Sequence, residues 1–135
     1  MRRARVLTVL AVLAACAVTG AGPAAAADDV LLPHPGPDGL VWVPDQVGDG
    51  GFVSGGAWST LPTVLTVACE GGGSVQVTME SQGVQTASLT VDCPVGTAGV
   101  GSATMAPGVV LGSFYVGVDA SGDTIRWAAT VTQPE

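Results

Sequence analysis

The chain has no lysine and no asparagine, and its one histidine is His34. Three of its four basic residues are Arg2, Arg3 and Arg5, which leaves Arg126 as the one base in the remainder. All eleven acidic residues lie at or beyond Asp28, so eleven acids against one base give residues 28–135 a net charge of −10. Proteins that bind nucleic acid use clustered Lys and Arg to displace counterions from phosphates, and this composition excludes that class. Attraction to anionic lipid headgroups is excluded on the same ground. Without asparagine there is no N-glycosylation acceptor. The acidity is better suited to solubility.

The scarcity of histidine also limits catalysis. A Ser-His-Asp site would have to use His34, with residues such as Ser54 and Asp38. His34 stands between Pro33 and Pro35 in the least regular part of the chain, a poor platform for a group that needs sub-ångström placement. The plain alternative is a solvated loop histidine. Paired carboxylates could hydrolyse glycosides, but a short, glycine-rich chain offers little material for a cleft. The expectation is no enzyme, no catalytic residue and no cofactor.

Apolar runs long enough to span a bilayer are missing too. Met1-Arg2-Arg3-Ala4-Arg5 is a positive opening, and Val6 to Val18 is apolar but shorter than the roughly 20 residues a span needs. Gly20 and Pro23 follow, and Ala25-Ala26-Ala27 offers a small-residue cleavage pattern before Asp28. Residues 1–27 therefore read as a secretory signal peptide, and the product as secreted. A second reading lies within the same stretch. Leu13-Ala14-Ala15-Cys16 has the form of a lipobox, in which Cys16 is lipidated and anchors the protein to the membrane.

Cys16 apart, Cys69 and Cys93 remain, an even pair in an oxidising compartment, which predicts a disulfide. A metal site needs more ligands, and redox pairs are usually closer in sequence. A closed loop of this length stabilises by about 3 kcal/mol in the chain-entropy model.

The two cysteines sit in a stretch of alternating residues. Leu65, Val67 and Cys69 share one face, Val75, Val77 and Met79 a second, and Leu89, Val91 and Cys93 a third. Such alternation marks strands of an antiparallel sheet covered on one side. Glu70-Gly71-Gly72-Gly73 reads as a tight hairpin turn, Ser81 to Thr86 as a polar connection, and Pro94 as a strand end. Phe52 to Trp58 reads as a strand weakened or bulged at Gly55-Gly56. Val95 to Met105 reads as a strand as well, and Pro107-Gly108 as a turn. In Val109 to Val118, Phe114 and Val116 oppose Tyr115. In Thr124 to Thr132, Ile125, Trp127, Ala129 and Val131 face inward. Residues 28–51 form a Pro/Gly-rich segment in which Leu40 to Val43 adds a short edge strand ended by Pro44. No helical period and no internal repeat is present. Residues 52–135 then read as an all-β antiparallel sandwich, immunoglobulin-like in general architecture.

The order of these elements resembles a known kind of module. A strand ending at Cys69, the run Gly71 to Val77, the strand end Val91 to Pro94 and the closing Arg126 to Ala128 are similar to small exported β-sandwich modules of actinobacterial secreted proteins and lipoproteins. The resemblance runs from Leu61 to the end. It implies fold and export; that family has no established activity, so it implies no catalytic residue.

The remaining candidates are binding groups. Asp38, Asp45 and Asp49, and separately Asp119 and Asp123, could supply oxygens to calcium, but neither set has the spacing of a calcium loop and Asp-Gly is ordinary turn chemistry. No metal is expected. Trp42, Trp58 and Tyr115 are the candidates for a ligand-facing surface, while Phe52 and Trp127 belong to the core. Arg126 is expected to pair with Glu80 or Asp92, or to stack on Tyr115. The functional expectation is a non-enzymatic secreted or cell-envelope binding module whose partner is a protein or polysaccharide of the envelope. The alternatives are a carbohydrate-binding module, a lipid-anchored lipoprotein and a small secreted hydrolase. Carbohydrate binding predicts at least two of the three surface aromatics exposed and coplanar.

Overall fold

The computed structural model describes residues 30–135; the expected signal peptide and Cys16 lie outside them. After a 3-10 turn at Gly36–Asp38, the strands are β1 (Gly39–Val47), β2 (Gly50–Ala57), β3 (Thr63–Glu70), β4 (Gly73–Ser81), β5 (Val84–Cys93), β6 (Gly99–Met105), β7 (Gly112–Ala120) and β8 (Arg126–Thr132). They form two antiparallel four-stranded sheets packed face to face. Sheet A has the order β1-β8-β3-β6, and sheet B the order β2-β7-β4-β5. Among the described residues no helix is long and apolar enough to cross a membrane.

The alternation in the sequence selects what lies between the sheets. Leu65, Val67 and Cys69 of β3 meet Val75, Val77 and Met79 of β4 in the core, together with Phe114, Val116, Trp127 and Val131. The indole N–H of Trp127 donates to the carbonyl of Gly48 at 2.8 Å, which satisfies its one buried donor and holds the β1–β2 turn. Ala128 and Thr130 point away from the core but are buried as well; Thr130 is in register with Trp42, which holds the segment before β1 on this side of sheet A.

The sandwich is as expected; its wiring differs from an immunoglobulin domain. There the first two strands are neighbours in one sheet. Here β1 and β2 belong to opposite sheets, and nearly every connection crosses between sheets. The orders 1-8-3-6 and 2-7-4-5 are those of an eight-stranded jelly roll, which covers both faces of its core by repeated crossing.

Several local expectations are corrected by this wiring. The glycine-rich turn after β3 is not a hairpin. β3 and β4 lie in different sheets, and Gly71, Gly72 and Gly73, at φ of 126°, 84° and 150°, carry the chain from one to the other. The freed amides of Gly71 and Gly72 donate to the carbonyls of Pro94 and Cys93. The true hairpin is β4–β5, where Gln82 and Gly83 both take positive φ, as a two-residue turn requires. β5 accordingly starts at Val84, inside the stretch expected to be a connection. Pro44 does not end β1, which runs on to Val47 past a register shift between Val43 and Gln46. Proline is tolerated there because β1 is an edge strand and the shift removes a ladder position. Segment 28–51 thus contributes all of β1 and the start of β2 to the sandwich. The last long strand before the closing one begins at Gly112 rather than Val109. The bulge expected at Gly55-Gly56 is present as a register shift between Ser54 and Ala57.

Cys69 and Cys93 form the disulfide, with Cα atoms 4.9 Å apart. Cys69 is on β3 of sheet A and Cys93 on β5 of sheet B, so the bond ties the two sheets together, and both sulfurs are buried.

Candidate binding face

The three surface aromatics lie on three different surfaces. Trp42 is on the outer side of β1, in register with Thr130. Its indole N–H donates to the Leu32 carbonyl at 3.1 Å, and the His34 ring meets it edge-on with centroids 5.0 Å apart. Trp42 therefore holds the segment before β1 against sheet A. Trp58 follows β2 at one end of the sandwich and is 68% exposed. Its backbone is fixed by Gln133, whose side-chain oxygen accepts from the Trp58 N–H at 2.8 Å and whose amide nitrogen donates to the Trp58 carbonyl at 3.0 Å. Gln133 is itself buried and also donates to Thr63 Oγ1. Tyr115 is on the outer face of sheet B and is 45% exposed. No two of the three share a platform, so the coplanar pair expected for a carbohydrate-binding surface does not form.

His34 lies apart from Ser54, the nucleophile a Ser-His-Asp site would have had to use. Its Nδ1 accepts from the Gly36 N–H at 3.0 Å, and its ring lies over sheet A. Ser54 is on β2 in sheet B, in register with the inward Phe114, so the sandwich separates the two. Asp45 and Asp49 each have a partner within the fold. Asp45 pairs with Arg126 at 2.9 Å, and Asp49 accepts from the Ala120 N–H. Among the described residues no group of three or more His, Cys, Asp or Glu side chains is placed to hold a metal ion. Arg126 also reaches Glu70 at 3.6 Å. The partners expected for it, Glu80, Asp92 and Tyr115, are all on sheet B, whereas Arg126 projects from sheet A.

The outer face of sheet B is the surface with the most chemistry. Gly51 of β2, Gly117 of β7, Thr78 of β4 and Ser88 of β5 stand side by side in register across it. The next row is Val53, Tyr115, Glu80 and Gln85. Tyr115 leans from its own row over the two glycines. A methyl group at Gly51 would stand 3.1 Å from the Tyr115 hydroxyl, and one at Gly117 would stand 3.3 Å from it. The hydroxyl end of the ring therefore sits over the two glycines, while the side chain as a whole stays half-exposed. Among the described residues its hydroxyl has no hydrogen-bond partner. Beside it is a shallow depression of about 200 Å³ lined by Val53, Glu80, Gln82, Ser113 and Tyr115.

On the other side of the glycine row lies Gln76. Its amide nitrogen donates to Ser88 Oγ at 2.9 Å, and its oxygen accepts from Thr90 Oγ1. The amide plane is thus held by two hydroxyls of the neighbouring strand, with one N–H and one oxygen lone pair left over. The charges on this face are the carboxylates of Glu80, Asp92 and Asp119. The sequence pointed to Tyr115 but not to Gly51, Gly117 or Gln76. The signal for Gly117 was its place two residues after Tyr115, on the same face; Gly51 could be found only from the pairing of β2 with β7.

No family model matches the chain, and no curated protein or solved structure is significantly similar to it.

Proposed function

We propose that this chain is a non-enzymatic binding module that works outside the cytoplasm, and that its contact surface is the outer face of sheet B. The observation that carries this is the half-exposed Tyr115 ring with its hydroxyl end over the Gly51–Gly117 pair. Glycine inside a strand weakens a sheet, and at Gly117, where an added methyl group would meet only the side chains of Tyr115 and Thr78, a face needed only for stability would carry a β-branched residue. Glycines in register leave room for an aromatic surface, a common means of contact in binding sites. The export signal expected over residues 1–27 and the buried inter-sheet disulfide support a place outside the cell, whether the chain is released after Ala27 or lipid-anchored through Cys16. The partner on this reading is a component of the cell envelope.

The test is co-sedimentation of the purified, disulfide-intact chain with washed cell envelopes of the producing organism. Wild type and Trp42→Ala should be retained alike. Tyr115→Ala, folded by circular dichroism, should lose retention by about tenfold or more. Equal retention of Tyr115→Ala, or no retention of wild type, refutes the assignment.

A further inference from the structure

We infer that the ligand of the sheet B face is an uncharged polysaccharide strand, lying across β7, β4 and β5 with one sugar ring on Tyr115 and hydroxyls on the Gln76 amide. This names the ligand class of the face assigned above and rests on that assignment.

Three features of the surface converge on it. The first is the platform. A pyranose presents an apolar patch of C–H groups, which needs an exposed aromatic ring; Tyr115 is half-exposed, with its hydroxyl end over Gly51 and Gly117, and this one ring stands in place of the paired aromatics expected from the sequence. The second is the polar row. Sugar hydroxyls are neutral donors and acceptors at once, and they match groups that are themselves neutral and two-sided. Gln76, Thr78, Ser88 and Thr90 are such groups. The Gln76 amide is fixed by Ser88 and Thr90 before any ligand arrives, so little side-chain entropy is lost on binding. The third is charge. Among the described residues the one base, Arg126, projects from sheet A and is engaged by Asp45 and Glu70. Glu80, Asp92 and Asp119 on sheet B repel anionic polymers, and they can accept hydrogen bonds from neutral hydroxyls.

The spacing suits a chain rather than a single sugar. Gly117, beneath the Tyr115 hydroxyl, is in register with Thr78, and Gln76 lies one row further on the next strand. A strand spacing of about 4.8 Å and a two-residue rise of about 6.7 Å put platform and amide about 8 Å apart, which a short run of pyranose rings spans. A protein partner is the weaker match, because the depression beside Tyr115 is shallow and mixes Val53 and Phe114 with Glu80, Gln82 and Ser113, unlike the enclosed apolar pockets that anchor protein interfaces.

The experiment measures retention of the disulfide-intact chain on washed envelopes in three states: untreated, oxidised with periodate, and digested with protease. Retention on insoluble cellulose and chitin is measured beside them. Periodate cleaves the vicinal diols of sugars and should abolish retention on envelopes, whereas protease digestion should leave it within twofold. Gln76→Leu and Thr90→Val, both surface changes, should each weaken retention by about threefold to tenfold, with melting temperatures close to wild type. Trp58→Ala should not change it. Retention that survives periodate but is lost to protease, and that still needs Tyr115, overturns the polysaccharide ligand and leaves sheet B as a protein-binding face. Retention that ignores Tyr115 and Gln76 alike overturns both assignments. Retention on cellulose or chitin that falls with Gln76→Leu would identify a sufficient ligand directly.

Discussion

Breaking the bond between the sheets should have a large and calculable effect. The disulfide closes a loop with a sequence separation of 24 between Cys69 and Cys93. For a loop of that size the chain-entropy relation gives about 12 cal/mol/K, or about 3.5 kcal/mol at 25 °C, lost from the unfolded state. Both cysteines are buried against the core, so deleting the sulfurs in a Cys69→Ala/Cys93→Ala variant adds lost packing in the same direction. Domains of this size have a total stability of about 5–15 kcal/mol, so much of the margin goes with the bond. One kcal/mol shifts the melting temperature of such a domain by about 4–8 °C, so the variant should melt at least about 14 °C lower. Urea titration read by the fluorescence of the buried Trp127 measures the same loss. It should also show a steeper slope, because the uncrosslinked unfolded chain exposes more surface. Since both sulfurs are enclosed, iodoacetamide should label neither until reductant and denaturant are present together. A variant with the wild-type midpoint, or rapid reduction of the native protein at a rate proportional to reductant, would refute the reasoning.

Three other expectations follow from single contacts. Gln133→Ala leaves the backbone of Trp58 and the Thr63 hydroxyl without their buried partner and should cost about 2–3 kcal/mol in urea titration. Gly51→Ala would place a methyl group 2.7 Å from the Val116 carbonyl oxygen and should cost about 1–3 kcal/mol, while Gly55→Ala, whose nearest neighbour is at 3.9 Å, should stay within about 0.5 kcal/mol of wild type. Arg126→Ala removes two partly exposed ion pairs and should cost no more than about 1 kcal/mol, a difference that shrinks in 1 M salt; a larger or salt-independent loss would mean that the side chain's packing matters more than its charge.

How much of the site was legible follows from which interactions are local. That Tyr115 faces away from Phe114 and Val116 is a matter of strand period, and it can be read from three consecutive residues. That Tyr115 lies on Gly51 cannot be, since β2 and β7 are far apart in sequence and meet only when sheet B forms. Trp42 and Trp58 look equivalent to Tyr115 in the sequence, yet the fold places one under the segment before β1 and the other on the Gln133 clasp. Arg126 shows the same division. Its outward direction follows from alternation with Trp127, but its partners depended on which sheet β8 joined.

By itself the sequence determined that the chain is built of strands, the inner and outer faces of most of them, and the pairing of the cysteines, though not every strand's ends. Alternation with period two, turn-forming glycines and an even cysteine count are properties of neighbouring residues or of simple number, and they survive any tertiary arrangement. Only the tertiary structure decided which strands share a sheet. A glycine-rich turn such as 70–73 specifies that the chain reverses, and the same residues serve a hairpin within one sheet or a crossing to the other. The choice depends on where all eight apolar faces can be buried at once. That is a property of the whole core, and it led the chain to the jelly-roll order in which Gly51, Tyr115 and Gln76 come to lie on one face.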